Sequence, residues 1–210
     1  LKDQGLRTDG AEGTDLLAQA VTAYNAALEV LTHSEHPVHR AGTQNNLAIA
    51  LQEQGIRTDG AQSTDLLAKA VTAYNAALKV DTRSDHPVDW AKTQNNLAAA
   101  LKDQGIRTDG AQSTNLLAQA VTAYNDALEV RTRSDHPVQW AMTQKNIAIA
   151  QQAIATHATC TNPRPPLTAA LAAAEAALTV YDPVHLSYYH AKATALRDGI
   201  QAQLNTLPPA

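Results

Sequence analysis

The chain has 210 residues, a formal net charge of −4 and a hydrophobic fraction of 44%. Near-balanced charge leaves no basic stripe for nucleic acid, and no apolar run is long enough to cross a bilayer. Phenylalanine is absent and aromatics make up 4%, so the core is expected to be thin layers of small side chains. Cys160 is the single cysteine. It allows no disulfide framework within the chain and fits a reducing compartment, so a cytoplasmic setting is expected.

A block recurs in register, as LKDQGLRTDG at 1–10, LQEQGIRTDG at 51–60 and LKDQGIRTDG at 101–110. About three quarters of positions are identical between the second and third copies, which marks a stacked array of repeats about fifty residues long. Such an array argues against an enzyme and for a surface shared by several repeats. The chain opens inside a repeat and without Met, and reads as a fragment of a longer bacterial protein.

In chain order, residues 1–30 form a partial first repeat. Helix pairs are expected at 38–80, 88–130 and 138–181, with a capping helix at 184–205 and a frayed LPPA end. In the third repeat Pro87 suits a first helical turn, with Ser84, Asp85 and His86 before it as capping candidates. Trp90, Leu97, Ala98 and Leu101 share one helical face. Gly105 is placed to end that helix in a left-handed turn. IRTDGAQS is expected to be a loop turning at Asp109-Gly110.

Thr114 then caps the second helix, whose buried stripe is Leu116, Leu117, Ala120, Val121, Tyr124, Ala127 and Leu128. Leu167, Ala170, Ala174, Ala177, Leu178 and Val180 keep the same phase, so 166–181 is a fourth second helix behind the stiff NPRPP connection. One apolar face per pair is too large to hide alone, and stacking hides it. The expected fold is all-α.

These residues resemble tetratricopeptide repeats. Leu97-Ala98 with Leu101 match the first helix of that signature; Ala120, Tyr124 and Ala127 match the second, with copies at Ala20, Tyr24, Ala27 and at Ala70, Tyr74, Ala77. The longer repeats of kinesin light chain type are similar, carrying an asparagine pair like Asn95-Asn96 and an Asp-His-Pro like Asp85-His86-Pro87. The resemblance spans essentially the whole chain and implies a right-handed superhelical solenoid of antiparallel helix pairs. Two departures stand out: both the inserted IRTDGAQS loop and the connector are longer, and Ala174 stands where Tyr is expected.

The resemblance also implies that the first helices line a concave groove. The groove-facing sets are then Gly42, Asn45, Asn46, Ile49, Gln52 and Glu53; Lys92, Asn95, Asn96, Ala99, Lys102 and Asp103; and Met142, Lys145, Asn146, Ile149, Gln152 and Ala153. A carboxamide both donates and accepts, so Asn46, Asn96 and Asn146 suit the backbone of an extended peptide. Structural bonding to a neighbouring helix is the alternative for the same three residues. Lys92, Lys102 and Lys145 suit an acidic group, while Ile49, Met142 and Ile149 suit apolar pockets. The expected partner is a peptide or protein segment, with self-association into homo-oligomers through an uncovered Leu16, Leu17 and Val21 face as the alternative.

Other constellations are weaker. His33, His36 and His39 have a spacing that can hold zinc or nickel, but they straddle a connector and only His86 and His136 recur. His157 and Cys160 make a thin pair. Glycines stand singly, so no phosphate loop and no cofactor are implied. Trp90 and Trp140 are expected as packing anchors, with Arg40 in the matching place one repeat earlier. Arg107 is expected to bond helix-end carbonyls or a nearby Asp.

Overall fold

A computed structural model describes residues 1–32 and 34–208. Among these residues nine helices follow in order: α1 (Lys2–Arg7), α2 (Gly10–Val30), α3 (Pro37–Arg57), α4 (Gly60–Ala77), α5 (Pro87–Ile106), α6 (Gly110–Leu128), α7 (Pro137–Thr156), α8 (Arg164–Leu178) and α9 (Ser187–Thr206). They pack sequentially as antiparallel pairs in two compact units, Leu1–Thr108 and Asp109–Ala210. No described helix is long and apolar enough to cross a membrane.

The expected IRTDGAQS loop is not a loop. α3 runs through Arg57 and α4 starts at Gly60, leaving Thr58 and Asp59 as the link. Both are extended, and Gly60 turns the chain at φ +66°, as do Gly10 and Gly110 at +71° and +66°. A side chain resists that left-handed conformation, whereas glycine accepts it. The glycine expected to end the first helix, Gly105, lies inside α5 instead. Its counterpart Gly55 serves close packing: a Cβ there would sit 2.9 Å from Leu67 Cγ and 3.2 Å from the Ser63 carbonyl oxygen. Ser63 Oγ donates to the Gly55 carbonyl at 2.6 Å and ties the two helices at this point.

Threonine does not cap the second helices. Thr114 lies inside α6, as Thr14 and Thr64 lie inside α2 and α4, where they donate to the carbonyls of Gly10 and Ala61. The first helices do open on proline at Pro37, Pro87 and Pro137. The connectors ahead of Pro87 and Pro137 carry a hydroxyl turn. Thr82 Oγ1 accepts from the Asp85 amide at 3.2 Å and donates to its carboxylate at 2.8 Å, and the pattern repeats at Thr132 and Asp135. The hydrogen bonds from Thr82 and Ser84 hold the Asp85 carboxyl below its ordinary range.

The core of the first unit is small, as the composition requires. Ala48, Ala50, Ala70, Ala77, Ala91, Ala98 and Ala100 are fully buried around Leu17, Leu67 and Tyr74. Small residues let helix axes approach and leave one large aromatic per pair to fill the remaining space. Leu17 is completely covered, and Leu16 and Val21 are half-buried, so the short α1 shields much of the face expected to be open. In the second unit α8 spans Arg164–Leu178 and keeps Ala174 fully buried where the other copies carry Tyr. Tyr181 packs on Ala141, Ala177 and Ala193, stacked on Tyr189 at 5.5 Å between ring centroids, and burial pushes its phenol up to about 12.

Both tryptophans sit at the mouths of connectors, with Arg83 over Trp90 at 5.9 Å and Arg133 over Trp140 at 5.7 Å. Trp140 also packs on the buried Ala141, Ala177, Tyr181 and Ala193. Arg40, in the matching place, donates instead to the carbonyls of Leu28 and Leu31 at 2.7 and 2.6 Å, satisfying the open end of α2.

Candidate functional site: the first-helix face

In the first unit, α3 touches both α1 and α5, whereas no close backbone approach links the second helices α2 and α4 among the described residues. In the second unit α7 touches α9 in the same way. The first helices therefore share a continuous seam in each unit, and the polar residues singled out from sequence lie along it.

That seam is already hydrogen-bonded. Asn96 Nδ2 donates to Asn45 Oδ1 at 3.3 Å, and Asn45 is only 5% exposed. Lys2 Nζ donates to Asn46 Oδ1 at 2.8 Å. Further along, Tyr74 Oη donates to Gln52 Oε1 at 3.1 Å, and Gln52 Nε2 donates to Asp103 Oδ2 at 2.9 Å. Lys102 pairs with the other Asp103 oxygen at 3.0 Å. Burial raises the Tyr74 phenol, with Asp103 adding to the shift, so it stays a donor. In the second unit Gln152 Nε2 donates to Gln203 Oε1 at 3.1 Å.

The structural alternative for the asparagines thus has a concrete form at Asn96, which bonds the neighbouring first helix. Lys102 is half-buried and spoken for by Asp103. Ile49 and Asn46 are half-buried on α3, Lys92 is exposed on α5, and Asn95 is half-buried beside it. On α7, Met142 is 38% exposed while Lys145, Asn146 and Ile149 are half-buried.

A second set of contacts was foreshadowed by the repeated RTD. Arg57 Nη1 donates to the carbonyls of Gly5 and Thr8 at 3.1 and 2.8 Å, and its Nε pairs with Glu53 at 2.8 Å. Gly13, which stands where Ser63 stands one repeat later, makes this fit: a Cβ there would lie 2.5 Å from Arg57 Nη1. The guanidinium takes the role on the Gly5 carbonyl that the Ser63 hydroxyl takes on Gly55. Arg107 likewise donates to the carbonyls of Ile56 and Asp103, each at 3.3 Å, in line with the helix-end expectation.

Sequence reasoning passed over Asp81. It is 6% exposed and lines a cavity of about 110 Å³ with Val38, Gly42, Asn45, Asp89, Lys92 and Thr93. Burial raises its carboxyl above the ordinary range and Asp89 adds to this, while His86 and Lys92 act in the opposite direction. The available signal was a mismatch between copies: the same register holds Leu31, Asp81, Arg131 and Tyr181.

The histidines form no comparable site. His36 and His39 meet edge-on with ring centroids 6.3 Å apart, and His33 lies outside the described residues. His157 Nδ1 bonds Thr159 rather than Cys160. Among the described residues no group of three or more His, Cys, Asp or Glu is placed to hold a metal ion. No family model, no curated protein and no solved structure matches this chain.

Proposed function

We propose that this chain is a protein–protein interaction module of the tetratricopeptide kind. Its helix pairs continue into a right-handed superhelix, and a peptide or protein segment docks along the first helices. The single observation that carries the reading is the asymmetry of contact within each unit: α3 touches α1 and α5, and α7 touches α9, whereas among the described residues α2 does not touch α4 and α6 does not touch α8. Helices closer on one side than the other curve the stack toward the closer side. On that side Asn46, Ile49, Lys92 and Asn95 of the first unit keep part of their surface open. In the second unit Met142, Lys145, Asn146 and Ile149 do the same. Among the first-helix differences between near-identical copies, three fall there: Lys92 against Met142, Asn95 against Lys145 and Ala99 against Ile149. Exposed positions that vary on a constant scaffold suit partner choice.

The test is selection of binding peptides from a displayed library on the whole chain, followed by amide hydrogen exchange with the best binder. Protection of the α3 and α5 faces bearing Asn46, Ile49 and Lys92 is expected. Ile49→Glu should weaken binding on the order of tenfold or more by placing a charge in a partly buried contact. Asn75→Glu, on the exposed side of α4, should leave it unchanged. Equal loss in both variants, or protection confined to α2 and α4, refutes the reading.

A further inference from the structure

We propose that the cavity between α3 and α5 is a receptor for one cationic side chain, the ammonium of lysine or the guanidinium of arginine, carried by the docked segment. The inference rests on the inner-face reading above and names the chemistry that the face selects.

Three observations lead there. First, Asp81 is more than nine-tenths buried, yet its carboxylate takes part in no hydrogen bond or ion pair with any described residue. Buried carboxylates elsewhere in proteins are matched by a donor or a counter-charge, because an unmatched one is costly to keep ionised. The carboxylate opens onto the cavity, so its match comes from water there or from a ligand that displaces it. Second, the carboxylate faces space: about 110 Å³, where a single water needs roughly 10–15 Å³ by the same kind of measure. A compact cationic head fits such a volume. Third, Asp89 lines the same cavity and is likewise without a hydrogen bond or ion pair among the described residues, while Asn45 and Thr93 add polar groups to the wall.

The charge count selects the ligand further. The lining carries two carboxylates, Asp81 and Asp89, against the single ammonium of Lys92. One monovalent cation neutralises the difference, whereas a divalent ion would overshoot it and find only two carboxylates. His86 at the start of α5 is the other titratable group that Asp81 senses. An incoming ammonium or guanidinium makes charge-assisted hydrogen bonds to the carboxylates, the strong kind that holds a partner in register.

The site belongs to one interface of the array. Asp81 and Asp89 are replaced in register by Leu31 and His39 one repeat earlier, and by Arg131 and Gln139 one repeat later. A role in holding the repeats together would recur in every copy. An acidic pair present in one copy fixes where along the face a basic residue must fall.

The experiment uses the whole isotopically labelled chain and three short capped alanine peptides that differ only at the central residue: lysine, norleucine or glutamate. NMR titration at low salt follows the amides of Asn45, Asp81, Asp89 and Thr93. The lysine peptide should shift them with weak, saturable affinity, and norleucine and glutamate should not. Asp81→Asn should weaken the lysine peptide on the order of tenfold, Asp89→Asn should weaken it less, and Asp65→Asn on exposed α4 should have no effect. Asp81→Asn removes a buried charge, so its loss of binding cannot be laid to unfolding, and a thermal melt alongside checks this. Norleucine or glutamate binding as well as lysine overturns the pocket while leaving the inner-face reading standing. Silence toward lysine, or full affinity in Asp81→Asn, also overturns it. Shifts at the four cavity residues without any at Ile49 or Asn96 support the pocket and count against an extended segment along the face.

Discussion

Two glycines of α3 give a paired test of the packing. At Gly55 a new Cβ would lie 2.9 Å from Leu67 Cγ and 3.2 Å from both Leu67 Cδ2 and the Ser63 carbonyl, against a comfortable carbon separation of about 3.5–4.0 Å. Leu67 is 0% exposed, and the Ser63–Gly55 hydrogen bond holds the two backbones together, so neither neighbour can retreat freely. Overpacking of this kind costs about 1–3 kcal/mol, offset by about 1 kcal/mol from replacing a helical glycine with alanine. Gly55→Ala should therefore destabilise by about 1 kcal/mol. At Gly42 nothing lies within 4 Å of the added Cβ, and only the propensity gain of about 0.5–1 kcal/mol remains. The same substitution in the same helix should thus move stability in opposite directions, with a gap of about 2 kcal/mol. Urea unfolding followed by circular dichroism reads it as midpoints about 1 M apart, for a slope of about 2 kcal/mol per M. Midpoints are the right quantity for an array that need not unfold in one step. A Gly55→Ala midpoint at or above the parent would refute the close approach of α3 and α4.

Other perturbations bear on the turn, the arginine contact and the buried acid. Gly60→Ala forces a side chain to φ +66° and should cost about 1–2 kcal/mol, seen as a lower urea midpoint. Arg57→Ala removes the donor to the Gly5 and Thr8 carbonyls. A loss of about 2 kcal/mol should appear as faster hydrogen exchange in α1, with α4 and α5 little changed. Asp81→Asn should raise the melting temperature at neutral pH. The Asp81 carboxyl is raised in the folded chain, so the folded state holds its proton more tightly and the parent loses stability as pH climbs from the unfolded value of about 3.9 through the folded one. The advantage of Asp81→Asn should be full above that window and close below it. An advantage that persists unchanged at pH 3 would show that desolvation of the carboxylate is not its source.

The helix pairs were legible in the sequence because apolar spacing is a local property. Leu67, Ala70, Tyr74 and Ala77 are all buried as their spacing requires. The link between helices was misread because the same glycine-rich stretch can be written as loop or as helix. The outcome turned on Gly55 lying flush against Leu67 and on Gly60 alone taking positive φ, contacts that belong to the pair and not to the string. The seam was half legible. Repeated asparagines pointed to the face along which α3 and α5 meet, but that Asn96 spends its amide on Asn45 depends on how consecutive helices slide past each other. Asp81 sat in a connector where an acidic residue reads as solvated, and only packing against α3 and α5 buries it.

Four of the bonds between neighbouring repeats run at a constant offset. Asn45 to Asn96, Gln52 to Asp103 and Gln152 to Gln203 each join residues 51 positions apart, as does Arg107 to the carbonyl of Ile56. The period of the copies is one less, so every rung reaches its neighbour's counterpart plus one. A gene that gains or drops whole copies keeps the same offset at each junction. A connector lengthened by a single codon breaks all the rungs at that joint together. Such a ladder lets the number of units drift freely while holding their length fixed.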